Sequence, residues 1–185
     1  MARPPRILVP GGIYHVTGRG NRQQLIFRDD RDCEWFLAIA DEVSEKRSWE
    51  RLAYCLMPNH FHLLVRTPKP DLSLGMQRLN SRYAQAFNHR HDTSGHLFQG
   101  RFHAVLVGDE SHLLELGRYV ALNPVRAGLC DRPGEWRWSS YREIFDEGRQ
   151  KLAQWGQVLQ HFHADPERAK QIFRAFVDDA LLGAG

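Results

Sequence analysis

The stretch "RLAYCLMPNHFHLLVRT", Arg51–Thr67, holds two apolar runs parted by Pro58 and Asn59. Each run is strand length, and the Pro-Asn pair between them is turn chemistry, so the stretch reads as a two-stranded hairpin. Upstream, "GIYHVTGR" over Gly12–Arg19 alternates Ile13, His15 and Thr17 against Tyr14 and Val16, a strand pattern that runs into the turn-rich "RGNRQ". Between these strands Trp35, Phe36, Ile39, Ala40 and Val43 recur at helical spacing up to about Lys46, with Asp29 and Asp30 placed to cap the helix. Downstream, Leu72, Met76, Leu79, Tyr83 and Phe87 mark a second amphipathic helix over 72–90, whose other face carries Arg78, Arg82 and Gln85. A polar loop with "SGHLFQGR" then leads into "FHAVLVGD", a fourth strand. The following "ESHLLELGRYVALNP" is helical until Pro124, which disfavours the helical conformation of the residue before it.

The order is therefore strand, helix, strand, strand, helix, strand, helix. Its first six elements match an α+β fold of the ferredoxin-like, split βαβ kind: an antiparallel sheet with helices on one face. Beyond Gly128 the texture changes. "DRPGEWRWSSY" is an aromatic, turn-rich connector, and helical stretches are expected near Lys151–His161 and Pro166–Leu182. The expected organisation is a catalytic-type core over 1–128 and, over 129–185, a connector with a C-terminal helical appendage.

Composition narrows the function classes. With 185 residues, 42% of them hydrophobic and 25% charged, the chain fits one globular domain with a sizeable core. No apolar run approaches the roughly 20 residues that span a bilayer, and Met1–Pro10 lacks a signal-peptide core, so no membrane partner and a cytoplasmic location are expected. Cys33, Cys55 and Cys130 are isolated and form no CxxC pattern, which suits neither a disulfide framework nor a zinc cluster. The net charge of +3 is mild. The arginines nevertheless cluster at Arg19/Arg22, Arg78/Arg82/Arg90 and Arg101, and guanidinium groups suit phosphate; a solvated surface would look the same.

Two constellations carry chemistry. On a strand, residues two apart share a face, so His60 and His62 project together while Phe61 points the other way. That geometry suits two-point ligation of a metal ion, and it equally suits a pair of surface or core histidines. The same tripeptide recurs at His161–His163, but in helical text, where residues two apart diverge by about 200° and do not chelate one ion. In "LGRYVALNPVRAG", Tyr119 and Asn123 lie four apart on one helix face, with Gly117 and Ala121 small enough for close approach by another element. A phenol beside a bound divalent cation can attack phosphorus and form a covalent ester. A packed helix end, with Asn123 as a stop before Pro124, gives the same text.

Taken together, "YCLMPNHFHLLV", "SGHLFQGRF" and "YVALNPVRAGL" resemble the HUH single-tyrosine transposases of the insertion-sequence 200/605 type. The likeness is greater to their relatives, the REP-associated tyrosine transposases, and runs from about Gly11 to Tyr141, including "GGIYHVTGRGNR" and "WRWSSY". The resemblance implies a single-strand DNA endonuclease and strand transferase. His60 and His62 would then bind a divalent ion, Mg or Mn, and Tyr119 would be the nucleophile, forming a 5′-phosphotyrosine and freeing a 3′-hydroxyl. Asn123, as in the REP-associated branch, stands where the transposases proper commonly carry a glutamine ligand, and with its shorter side chain direct and water-mediated contact both stay open.

The implied partner is single-stranded DNA with an imperfect hairpin. Candidate contacts are Arg19, Asn21 and Arg22 in the first loop and Arg78, Arg82 and Arg90 on the second helix, with Arg101 and Arg126 in addition. Phe98, Trp136 and Trp138 are candidates for base stacking, although the tryptophans also suit core packing. A monomer is expected in preference to a homodimer. Two other readings stay open: a domesticated hairpin-binding protein without turnover, and a metal hydrolase in which Glu110 or Glu115 serves as the base.

Overall fold

In a computed structural model of the chain, residues 8–146 and 152–182 are described. Strand β1 covers Gly12–Arg19, helix α1 Asp30–Arg47, strands β2 and β3 Glu50–Met57 and His60–Thr67, helix α2 Leu72–His91, and strand β4 His103–Leu106. The sheet order is β2-β3-β1-β4 with every neighbour antiparallel, the arrangement expected of a ferredoxin-like split βαβ unit. Helix α3, Glu110–Arg126, follows, then the short α4, Gly156–Leu159, and α5, Pro166–Leu182.

Alternation along β3 sorts the molecule into layers. Phe61 faces α1 and α2 and packs its ring 4.7 Å from that of Phe36, which meets Tyr83 edge-on at 5.1 Å. His62 faces the other way, toward Tyr119 of α3, so the seventh element closes the second face of the sheet. Gly18 of β1 lies opposite Phe61, where an added Cβ would stand 2.5 Å from the Phe61 ring. The missing side chain therefore lets the aromatic lie flat across its neighbour strand.

Asp29 caps α1 by accepting from the Asp32 backbone N–H, and Asp109 caps α3 by accepting from His112. Helix α3 runs through Pro124 to Arg126, two residues beyond the stop read from sequence. Proline forfeits its own N–H bond to the Val120 carbonyl and crowds that oxygen, and burial of Pro124 within the helix offsets the loss. Termination comes at Gly128 (φ +67°), where Gly128 N–H bonds to Val125 and Leu129 N–H to Pro124, a Schellman arrangement. The fourth strand is also shorter than expected, four residues of the eight in "FHAVLVGD".

The connector seals the outer edge of β2. Leu56 N–H donates to the Trp138 carbonyl, Trp136 Nε1 to the Leu56 carbonyl, Tyr54 N–H to Ser140 Oγ and Ser140 Oγ to the Tyr54 carbonyl. Trp155, Val158 and Phe173 then cover α3 at Gly117, where a Cβ would meet them at 3.4–3.9 Å, so the small residue serves the close approach read from sequence. One continuous apolar cluster joins the sheet to Tyr141, Ile144, Trp155, Phe173 and Val177. The helix expected near Lys151–His161 is only Gly156–Leu159; Lys151 itself lies outside the described residues. The three cysteines are free, and among the described residues no helix is long and apolar enough to cross a membrane.

Candidate active site

The turn Pro58–Asn59 delivers His60 and His62 to the α3 face of the sheet, with ring centroids 5.0 Å apart. Each Nδ1 is held by a neighbour. Asn59 Nδ2 donates to the Gln23 carbonyl, so its Oδ1 is the acceptor for His60 Nδ1–H at 2.7 Å, and His60 Nε2 is left as a lone pair. His62 is buried, its Nδ1 lies 3.0 Å from His15 Nε2, and its Nε2 has no hydrogen-bond partner. Burial pushes the His62 pKa down to about 2, with His15 and His60 adding to the effect. Burial, then His103 and His112, lowers that of His15 to about 4. His60 is lowered by burial and then by Arg19. All three rings are therefore neutral near pH 7, the form that ligates.

Tyr119 rises from α3 beside this pair and is 38% exposed. Its ring stands nearly perpendicular to His15 and His62, with centroids 5.7 and 5.5 Å away. One turn later, Asn123 Nδ2 donates to the Tyr119 carbonyl at 2.7 Å, which leaves Asn123 Oδ1 as the acceptor end of the amide. The Arg126 guanidinium lies 5.8 Å from the Tyr119 ring centre. Two neutral imidazole lone pairs, an amide oxygen, an exposed phenol and a guanidinium thus share one face. Among the described residues no group of three His, Cys, Asp or Glu has metal-holding geometry. The buried, unpartnered His62 Nε2 and the free His60 Nε2 nonetheless fit a divalent ion whose remaining positions are filled by amide, phosphate or water oxygens.

The first loop adjoins this face. Gly20 N–H bonds to the Asn59 carbonyl, Asn21 N–H to Leu97, and Gln99 N–H to Arg19, so the loop, the histidine turn and the segment around Phe98 are tied together. An added Cβ at Gly20 would sit 2.1 Å from the Gln24 carbonyl oxygen. Arg22 (φ 51°) and Gln23 (φ 62°) occupy the left-handed region, a strained conformation for such residues, and Arg22 is exposed. Arg19 is exposed, donates to Gln23 and lies opposite His60 in the sheet.

The arginines of α2 are placed differently. Arg78, Arg82 and Arg90 belong to the layer on the far side of the sheet from Tyr119. Arg82 pairs with Glu42, and Arg90 with both Asp29 and the buried Asp32, to which His91 also bonds at 2.9 Å. Sequence spacing identifies their helix face and not these acidic partners from α1. Arg78 is exposed in a basic cleft with Lys46, Arg47 and Lys69; Arg101 is exposed ahead of β4. Phe98 is half-buried, 6.1 Å from Phe61. Trp138 Nε1 is held by Asp30, and Trp136, as described, by the Leu56 carbonyl. His161 pairs with Glu110 at 3.1 Å and His163 Nδ1 accepts from Asp165 N–H, so the second HFH does not converge. His15 was not among the candidates from sequence, although its phase in "GIYHVTGR" would have put it on the His62 face once β1 and β3 were known to pair.

Residues 9–123 match the family model for IS200-like transposases. A Haemophilus influenzae protein named as a REP-associated tyrosine transposase is 26% identical over 174 residues, 80% of this chain and 92% of that protein. Among solved structures, a REP-associated tyrosine transposase bound to a REP hairpin shares the fold, with a TM-score of 0.67 and 21% identity over 85% of this chain and 93% of that one. With three-fifths of its length matched to the family model, and the histidine pair, the helix tyrosine and the sheet order in place, the chain belongs to the IS200-like transposase family.

Proposed function

We propose that this transposase nicks and rejoins single-stranded DNA through Tyr119, at sites flanked by an imperfect hairpin, with a divalent ion at His60 and His62. The observation that carries the reading is the buried His62 Nε2, which has no partner, on a ring whose centre lies 5.5 Å from that of the exposed Tyr119. The Tyr119 oxygen attacks phosphorus, the bond from phosphorus to the 3′-oxygen breaks, and that oxygen leaves as a 3′-hydroxyl. Tyr119 keeps the 5′-phosphate as an ester of similar energy to the bond broken, so a later 3′-hydroxyl can reverse the step and regenerate the phenol. A Mg or Mn ion, when bound, supplies positive charge to the scissile phosphate. Asn123, fixed by its bond to the Tyr119 carbonyl, offers a third oxygen, and Arg126 beside the Tyr119 ring adds charge for the phosphate.

The hairpin partner is suggested by the REP-hairpin complex that shares this fold and by the loop of Arg19, Asn21 and Arg22 bonded to the histidine turn. The hydrolase alternative lacks a placed base, because Glu110 pairs with His161 and Glu115 with Arg118. The test uses end-labelled single-stranded hairpins drawn from repeats beside the gene, with Mn or Mg, on a denaturing gel. A metal-dependent protein–DNA adduct that disappears in Tyr119→Phe and His62→Ala is expected. Tight binding without cleavage under either metal would replace the enzyme reading with the hairpin-binding one, and cleavage that survives Tyr119→Phe would mean hydrolysis.

A further inference from the structure

We infer that His15 is a positioning residue that fixes the tautomer of His62 and aims its Nε2 away from the sheet. This rests on the metal-site reading above and adds to it a residue that the HxH pattern does not contain. His15 and His62 sit diagonally on β1 and β3, since Thr17 lies opposite His62 and His15 opposite Leu64. Their rings are within 8° of parallel with centroids 5.2 Å apart, and the 3.0 Å contact joins His15 Nε2 to His62 Nδ1. A separation of that size with a nitrogen contact describes two rings edge to edge in nearly one plane, not stacked face on face.

Only one proton lies between those nitrogens, and its position decides what His62 can do. If His62 Nδ1 carries it, His15 Nε2 accepts, and His62 Nε2 is a lone pair. If His15 Nε2 carries it, the proton of His62 must sit on Nε2, a buried donor with no acceptor and no lone pair left to hold a metal ion. The first arrangement makes His62 a ligand and matches His60, whose Nδ1 proton is held by Asn59 Oδ1. Each histidine of the pair thus has its own acceptor, one an amide and one an imidazole, in the way second partners orient metal-binding histidines generally. His15 is 9% exposed and its ring meets Tyr119 edge-on at 5.7 Å, so the same residue also supports the nucleophile's wall.

The test starts with the metal-free wild-type protein, 15N-labelled on histidine, near neutral pH. The expected spectrum has His62 protonated on Nδ1 with a pyridine-type Nε2; a protonated Nε2 would overturn the inference whatever the protein does to DNA. The second arm titrates Mn(II), followed by its electron paramagnetic resonance signal, into wild type, His15→Phe, His15→Gln and His62→Ala. Affinity should fall about 10- to 100-fold in His15→Phe and recover in part in His15→Gln, which restores an acceptor. Wild-type affinity in His15→Phe would contradict the assignment. Wild-type Mn(II) binding no tighter than that of His62→Ala would instead sink the metal-site reading, while the tautomer spectrum still decides the role of His15.

Discussion

At the scale of single residues, the site depends on what lies behind it as much as on what it displays. Phe61, between the two histidines, lies across Gly18 and against Phe36. Gly18→Ala is expected to cost about 1–3 kcal/mol through overpacking, measured by chemical denaturation, and to weaken Mn(II) binding by shifting β3. An unchanged midpoint would show that the Phe61 ring can move freely, contrary to this packing. The HxH pair was legible in the sequence because a strand has a period of two. His15 was not, because the side chains that meet across two strands depend on register, and neither β1 nor β3 states its register alone.

At the scale of elements, the arginines divide into groups that reach solvent and groups that hold helices together. Arg90 grips Asp29 and Asp32 at the start of α1, while Arg22 is displayed on the loop bonded to the histidine turn. Arg90→Ala is therefore expected to lower the melting temperature and leave the salt dependence of hairpin binding nearly intact. Arg22→Ala should spare the melting temperature and reduce the slope of log affinity against log salt by about one. Equal slopes in the two variants would contradict the division. Helix periodicity revealed which face of α2 is polar, but ion pairs between helices far apart in sequence leave no local signal. The early stop assigned at Pro124 fails for a related reason: the local rule against helical residues before proline was outweighed by burial of Pro124 and by the Gly128 cap.

At the scale of the whole molecule, the change of texture after Gly128 marks a connector whose backbone completes the edge of β2 and whose helices cover α3. A chain ending at Gly128 should lose the folded state or aggregate, since it would expose that edge along with the apolar surface of α3; a soluble, cooperatively melting fragment would contradict this. The buried histidines also set a pH response. Their folded pKa values, about 4 for His15 and about 2 for His62, lie below the ordinary 6.5, so below 6.5 the unfolded chain binds more protons. Metal-free stability should be highest above pH 6.5 and fall as pH drops toward 4, with each histidine contributing on the order of 2 kcal/mol of the loss by pH 5. Replacing His15 with Phe should flatten that dependence. The strand–helix order made the sheet legible in the sequence, whereas the sealing of its edge by residues 80 positions away was not.

The most direct measurement is peptide mass spectrometry of the trapped complex with a cleaved hairpin strand. Nucleotide mass is expected on the tryptic peptide Tyr119–Arg126, "YVALNPVR", attached through the tyrosine and formed only with metal present. Cleaved DNA with that peptide unmodified, or with the nucleotide on another residue, would contradict it.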